Sequence, residues 1–248
     1  MAIEVFNRYE KKYIIPNDDI FMKLYNQLSC FLEPDSYSKL GATYKITNLY
    51  YDTVDNRLIR SSMGKPAYKE KLRVRAYGVP DNDSTVYIEI KKKVLGLVNK
   101  RRSAMKLAEA YSFLDIGLLP EAKSYINLQV CTEIKTMLNR YSVKPALYLS
   151  YDRTAFSATG DDDVRVTFDE NIITRRTYLW LESGSFGEPL LPDNTWLMEI
   201  KVKNNMPLWL SRLLSEYELY PTSFSKYGTE YKKMLTKNKT ERILSRTS

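Results

Sequence analysis

The sequence of 248 residues contains no histidine. That absence removes Ser-His and Cys-His nucleophilic machinery, HExxH zinc sites and imidazole acid-base catalysis together. Neither GxxxxGK[ST] nor GxGxxG occurs, so no P-loop and no dinucleotide-binding turn is written here. Cysteine is scarce: Cys30 and Cys131 sit far apart in apolar helical patterns and read as reduced core thiols, not as a disulfide or metal site. No apolar run approaches the roughly 20 residues of a membrane span. The opening MAIEVFNRYEKKY is charged within a few residues, unlike a signal peptide, and the expected location is cytoplasmic. Any chemistry must therefore run on carboxylates, lysines, arginines, hydroxyls and a hard metal.

Positive charge is what the chain has in excess. Its 38 Lys and Arg against 30 Asp and Glu leave +8, which suits an anionic partner without naming it. No repeat, low-complexity tract or linker divides the sequence. It reads as one domain over residues 1–236, with a basic tail, KNKTERILSRTS, expected to be disordered over 237–248. Helical periodicity marks PNDDIFMKLYNQLSCFL, where Asn17 or Asp18 can cap and Ile20, Leu24, Leu28 and Phe31 line one face. It recurs after Pro120 (Ile126, Val130, Ile134, Leu138) and in MPLWLSRLLSEY, and a final helix is expected near TSFSKYGTEYKKML.

Between these helices the pattern alternates with period 2. In YKEKLRVRAY, Lys69, Lys71, Arg73 and Arg75 share one strand face, opposing Tyr68, Leu72 and Val74, with Glu70 on that second side. In VYIEIKKK, Glu89, Lys91 and Lys93 oppose Val86, Ile88 and Ile90; in LMEIKVK, Glu199, Lys201 and Lys203 oppose Met198, Ile200 and Val202. RYEKKYII sets Arg8, Glu10 and Lys12 on one face, and VRVTFD sets Arg165, Thr167 and Asp169 there. In LYLSYDRTAF, Arg153 falls on the face of Leu149 and Tyr151. One such strand is an ordinary half-solvated sheet. A whole set with mostly Arg and Lys on one side fits a closed barrel, apolar faces outward against helices and charged faces inward. Buried cations need partners, so the expected occupant of that tunnel is a long, thin polyanion.

Arg and Lys suit phosphate oxygens, whereas carboxylates in the same cavity repel phosphate unless a divalent cation intervenes. Glu10, Glu89 and Glu199 are therefore candidate ligands for Mg2+ or Mn2+. Glu10 and Glu89 read equally as partners of neighbouring lysines, and Glu199 is the stronger candidate. The EIK spacing places Lys91 beside Glu89 and Lys201 beside Glu199. Nucleic acid is disfavoured, because the cations alternate inward and lack exposed stacking aromatics. Tyr68, Tyr87 and Tyr148 read as barrel-helix packing and pore-rim groups.

RYEKKY, LYYDT, YKEKLRVRAY, YIEIKKK with GLVNKRR, YLSYDRTAF, RVTFDENI, LMEIKV and FSKYG stand in chain order. Together they resemble the VTC domain, the polyphosphate polymerase branch of the triphosphate tunnel metalloenzymes, related to CYTH domains. The resemblance runs from about residue 4 to 236. It implies an α+β fold with an eight-stranded antiparallel β-barrel tunnel, charged inside and with helices packed outside. It also implies transfer of the ATP γ-phosphate to inorganic polyphosphate, with a divalent metal. Carried over by position, Arg73, Arg75, Lys91, Arg153, Arg165 and Lys226 would act on the reacting phosphates, and Lys12, Lys100 and Ser225 would bind substrate. Glu199 would hold the metal. Lys69, Lys71, Lys93, Lys201 and Tyr227 complete the candidate substrate contacts, with Lys69 and Lys71 nearer an entrance. Ser225 and Lys226 also fit independently, since a helix N-terminus favours an anion.

The wider CYTH pattern opens with ExExK, and Arg8 here replaces its first glutamate, which favours the polymerase branch. A phosphate acceptor is already ionised near neutral pH and needs no general base, which suits a chain without histidine. A triphosphatase or polyphosphatase in the same tunnel and a non-catalytic polyphosphate or nucleotide sensor are the alternatives. Export of product would need a separate membrane partner.

Overall fold

The computed structural model describes residues 9–35, 37–38, 42–64, 66–95, 97–158, 164–203 and 205–247, with side chains to residue 240. Arg8 lies outside the described residues. The elements in order are β1 (Tyr9–Ile15), α1 (Asp18–Leu28), β2 (Glu33–Pro34), β3 (Tyr44–Thr53), α2 (Arg57–Met63), β4 (Tyr68–Tyr77), β5 (Thr85–Val94) and β6 (Leu97–Lys106). There follow α3 (Leu107–Ile116), α4 (Leu128–Arg140), β7 (Val143–Ser157), β8 (Val164–Arg175), β9 (Glu188–Pro189), β10 (Trp196–Val202), α5 (Leu208–Glu216) and α6 (Lys226–Thr247). Eight long strands hydrogen-bond in the order β1-β10-β8-β7-β3-β4-β5-β6, with the two-residue β2 and β9 pairing β7 and β8. The α+β class and the eight-stranded sheet are as the sequence indicates.

Two compact units divide the residues. The first comprises 1–46, 150–172 and 191–224, the second 47–149, 173–190 and 225–248. In the first unit, the apolar faces of β1, β8 and β10 pack against α1 and α5. Tyr13, Ile15, Phe168, Met198 and Ile200 meet Phe21, Leu24, Leu28, Leu210 and Leu213 there. Phe21 stacks on Trp196 with ring centroids 3.7 Å apart. Asn17 caps α1 by accepting from the Ile20 N–H at 2.9 Å, as its short polar side chain before an apolar period suggests. In the second unit, Leu72, Val74, Ile88 and Ile90 of β4 and β5 pack against Phe113 and Leu114 of α3 and Val130, Ile134 and Met137 of α4. Period-2 alternation therefore does what it promises in both units: each apolar strand face is buried under helices, leaving the charged face on the other side of the sheet.

Two expectations change. Cys131 is buried as expected, but Cys30 is exposed in the turn after α1, because that helix ends at Leu28. Helix α6 runs through 237–247, where composition suggested a disordered tail. That segment lacks glycine and proline, and its two Lys, two Arg, one Glu and one Leu propagate a helix already nucleated upstream. Tyr148 is buried in the core that the helices cover, in keeping with the barrel-helix packing expected of it. Among the described residues no helix is long and apolar enough to cross a membrane.

Candidate functional site

The charged face of the second unit is a cross-strand grid. Lys69 lies opposite Lys93 and through it Val98; Lys71 opposite Lys91 and Lys100; Arg73 opposite Glu89 and Arg102; Arg75 opposite Tyr87 and Ala104. The grid thus carries eight cations with one carboxylate among them. Burial deepens along β4 from half-buried Lys69 to buried Arg75.

Glu89 is the counter-charge. It is 2% exposed, and Arg73 donates to its Oε2 through Nε at 2.7 Å and approaches through Nη2 at 2.6 Å. Lys100 Nζ lies 2.8 Å from Oε1, and Arg75 Nε lies 4.0 Å from Oε2. Burial alone would raise the Glu89 carboxyl, yet Arg73, Arg75 and Lys100 together hold it well below the usual carboxylate range. Glu89 thus stands in the ion-paired arrangement, one of the two readings open to it from the sequence, with Arg73 and Lys100 on its oxygens and Arg75 at 4.0 Å. Lys100 answers in kind. Its burial and the neighbouring Arg73 and Arg75, against the pull of Glu89, bring its ammonium down to about 8.

The other face-mates are neutral side chains of β3. Arg73 Nη1 donates to the Tyr50 hydroxyl at 2.9 Å, and Arg75 Nε donates to Asn48 Oδ1 at 3.0 Å. Asn48 in turn donates to the Leu149 carbonyl at 3.1 Å, so its oxygen is locked toward Arg75. Burial would raise the Tyr50 hydroxyl, but Arg73, Lys71 and Arg75 outweigh it and lower it to about 8.

Ser225 opens α6. Its Oγ accepts from the Gly228 N–H at 3.3 Å, the bond of a helix cap, and Lys71 Nζ donates to the same oxygen at 3.3 Å. Half-buried Lys226 follows, so the helix N-terminus, Lys71 and Lys226 stand together where an anion is favoured. Tyr227, expected among the substrate contacts, is instead buried, and its hydroxyl is given to Asp52 Oδ2 at 2.9 Å. Asp52 also accepts from the Leu58 and Ile59 N–H groups at 2.8 and 3.0 Å, capping α2 and fixing α6 beside it. Tyr227 thereby ties the start of α6, and with it Ser225 and Lys226, to Asp52.

In the first unit two rows cross β1, β10 and β8. Lys12 pairs across to Glu199 and Thr167, and Glu10 to Lys201 and Arg165. Lys12 Nζ lies 3.4 Å from Glu10 Oε1 and 3.8 Å from Glu199 Oε1, and Lys201 Nζ lies 3.5 Å from Glu199 Oε2. Thr167 Oγ1 is buried beside this group and has no hydrogen-bond partner among the described residues. Arg153 forms a bidentate pair with Asp169, which is 0% exposed, at 2.6 and 2.8 Å. Exposed Arg165 reaches Asp35 at 3.3 Å.

Among the described residues no three acidic, histidine or cysteine side chains form a metal cluster. Glu199 and Glu10, flanking one ammonium, with the unpartnered Thr167 hydroxyl alongside, make an incomplete oxygen set. Such a set fits a hard ion whose shell is completed by phosphate and water, not a protein-only cage. Sequence reasoning placed Thr167 and Asp169 on a charged face without giving them roles, and it passed over Asn48, Tyr50 and Asp52. The alternating NLYYDT pattern was the available signal.

Strand order, the charged faces and the helix-covered apolar faces define the triphosphate tunnel (CYTH-like) class of fold. A solved structure from Bacillus halodurans, named as a candidate adenylate cyclase, shares it: TM-score 0.50 at 14% identity, over 87% of this chain and 92% of that one. The chain belongs to the VTC domain family, whose model matches residues 7–235. It is 25% identical over 272 aligned positions to vacuolar transporter chaperone complex subunit 4 of Trypanosoma brucei brucei, covering 91% of this chain and 34% of that protein. It is 34% identical over 67 residues to subunit 2 of the same-named complex of Saccharomyces cerevisiae, covering 26% of this chain and 7% of that protein. The chain thus spans about a third or less of the curated relatives it matches.

Proposed function

We propose that this chain is a polyphosphate polymerase, moving the γ-phosphate of ATP onto the end of an inorganic polyphosphate chain. The observation that carries this reading is the Lys71–Lys91–Lys100 and Arg73–Glu89–Arg102 grid, a dense cationic face with a single internal counter-charge. Phosphoryl transfer is mainly positioning and charge stabilisation, which such a face provides. Arg73, Arg75, Lys91, Arg153, Arg165 and Lys226 bind and orient reacting phosphates. Lys12, Lys69, Lys71, Lys93, Lys100, Lys201 and Ser225 hold the rest of the chain. Asp169 aims Arg153, and Asn48 aims Arg75. Glu199, with Glu10 and Thr167, would hold Mg2+ or Mn2+, which neutralises phosphate charge when bound. The charged-face carboxylates Glu10, Glu89 and Glu199 are all ion-paired, so none is set to activate water, and a phosphate oxygen is the better-supported nucleophile. The names of its relatives, subunits of a vacuolar transporter chaperone complex, support partner subunits; a cytoplasmic location and a separate membrane partner for export complete the proposal.

Purified protein incubated with ATP and Mn2+ should yield ADP and long polyphosphate. Orthophosphate without polymer would establish the hydrolase instead, and binding without turnover a sensor. In the polymerase, Glu199→Gln should lower turnover at least a hundredfold while metal-free tripolyphosphate affinity changes less than threefold.

The pH dependence has a definite sign. Tyr50 has its hydroxyl lowered toward about 8, so its stabilising effect on the ligand-free fold is present above its ordinary value near 10 and lost as pH falls through about 8. Lys100 is also lowered, so its ammonium opposes folding below about 8 and that opposition fades as pH rises. Bound phosphate requires the reverse charges, a neutral Tyr50 and a cationic Lys100. Tripolyphosphate affinity should therefore weaken from pH 7 to 9 while ligand-free thermal stability rises. Tyr50→Phe should flatten the affinity profile, leaving the share due to Lys100; superimposable profiles would refute the assignment.

A further inference from the structure

The β5–β6 hairpin ends in an apolar tip that the proposed chemistry does not use. Val94, Leu95, Leu97 and Val98 are 45, 81, 60 and 47% exposed. Val94 pairs with Leu97 and Lys93 with Val98, so apolar groups stand on both faces of the ribbon at its end. Leu95 sits at φ 46°, a left-handed conformation that disfavours a side chain, at a position where glycine or asparagine is the ordinary choice. Its N–H is tied to the Ala67 carbonyl at 2.7 Å, so the turn is anchored while its side chain projects. Nothing in the hairpin's own packing calls for leucine there.

Immediately behind the tip is a basic collar. Residues 91–102 contain Lys91, Lys92, Lys93, Lys100, Arg101 and Arg102 and no acid. Glu133 on α4 engages Lys92 and Arg101, and Glu89 engages Lys100, leaving four positive charges in excess on the collar, with Lys91, Lys93 and Lys100 shared with the proposed phosphate-binding face. Crowding is felt at this end: burial, then Lys93 and Lys91, lower the Lys69 ammonium.

We propose that this hairpin docks on an anionic lipid bilayer, its tip entering the headgroup–acyl boundary and its collar meeting lipid phosphates. The dimensions agree. At about 3.4 Å per residue the apolar zone from Leu95 back to Val98 is roughly 7–10 Å deep, against the roughly 5–10 Å to which interfacial segments bury apolar groups. The tip is convex with cations on both faces behind it, and charge complementarity selects an anionic surface over an apolar protein groove.

The test uses the full chain with vesicles of phosphatidylcholine alone or of phosphatidylcholine with phosphatidylserine. Co-flotation is expected with the anionic vesicles only, weakened by salt. Leu95→Ser/Leu97→Ser should reduce it at least tenfold while melting temperature and tripolyphosphate affinity stay unchanged. In a Val98→Trp variant the indole emission should shift blue on anionic vesicles. Equal flotation of the double variant, or an unshifted indole, would show purely electrostatic adsorption and overturn the insertion. A concentration-dependent dimer lost in the double variant, without vesicle binding, would overturn it in favour of a second copy of this chain.

Discussion

In the polymerase proposed above, Arg73→Ala is expected to abolish polyphosphate synthesis, by about a thousandfold or more, and also to make the ligand-free protein less stable. The activity loss follows from its place in the grid, where an arginine on a transferring phosphate is worth about 10³–10⁵ in rate. The stability effect has the opposite sign to the one that charge counting along β4 suggests. Four cations in a row imply that removing one relieves repulsion. The structure instead commits Arg73 to a buried carboxylate and to the Tyr50 hydroxyl. Losing these charge-assisted bonds should cost about 2 kcal/mol. That is a fall of roughly 4–8 °C in melting temperature, read by calorimetry without ligand. A rise in melting temperature would show that repulsion dominates after all.

Glu89→Gln should have the larger effect on stability and a contrary effect on binding. The amide preserves shape but leaves Arg73, Arg75 and Lys100 without their common counter-charge. Breaking a buried ionic group from one side costs about 3 kcal/mol, or roughly 10 °C in melting temperature. The freed cations should then hold tripolyphosphate about tenfold more tightly (about 1.4 kcal/mol). Ligand should consequently raise the melting temperature of this variant more than that of the parent. If Glu89 were a metal ligand, the variant would lose metal-dependent affinity and keep metal-free affinity. That pattern, by titration calorimetry with and without Mn2+, would overturn the counter-charge role.

The strands most legible in the sequence were those with charge on one face. YKEKLRVRAY, VYIEIKKK and LMEIKVK alternate so strictly that both the buried and the charged faces follow from parity alone. β3 went unread for its site residues because Asn48, Tyr50 and Asp52 are neutral or singly acidic and resemble any half-buried strand. Their importance depends on Arg73, Arg75 and the N-termini of α2 and α6 being brought to them, which involves sequence separations no periodicity carries. The burial of Tyr227 was not legible for a related reason. It stands beside Ser225 and Lys226 in sequence, but in a helix the next residue turns about 100° away.

By itself the sequence determined which strand faces are apolar and which are charged, and the sign and density of that charge; its resemblance to the VTC domain carried the eight-stranded tunnel. The first depends on side-chain type and strand parity, both local properties. Tertiary structure alone decided which charges are matched and which remain available. It gave Glu89 to three cations, set Asp169 behind Arg153, left Thr167 unpartnered beside Glu199 and exposed the apolar tip of the β5–β6 hairpin. A charge's net effect varies steeply with distance and burial, and distance between strands is known only once they are paired.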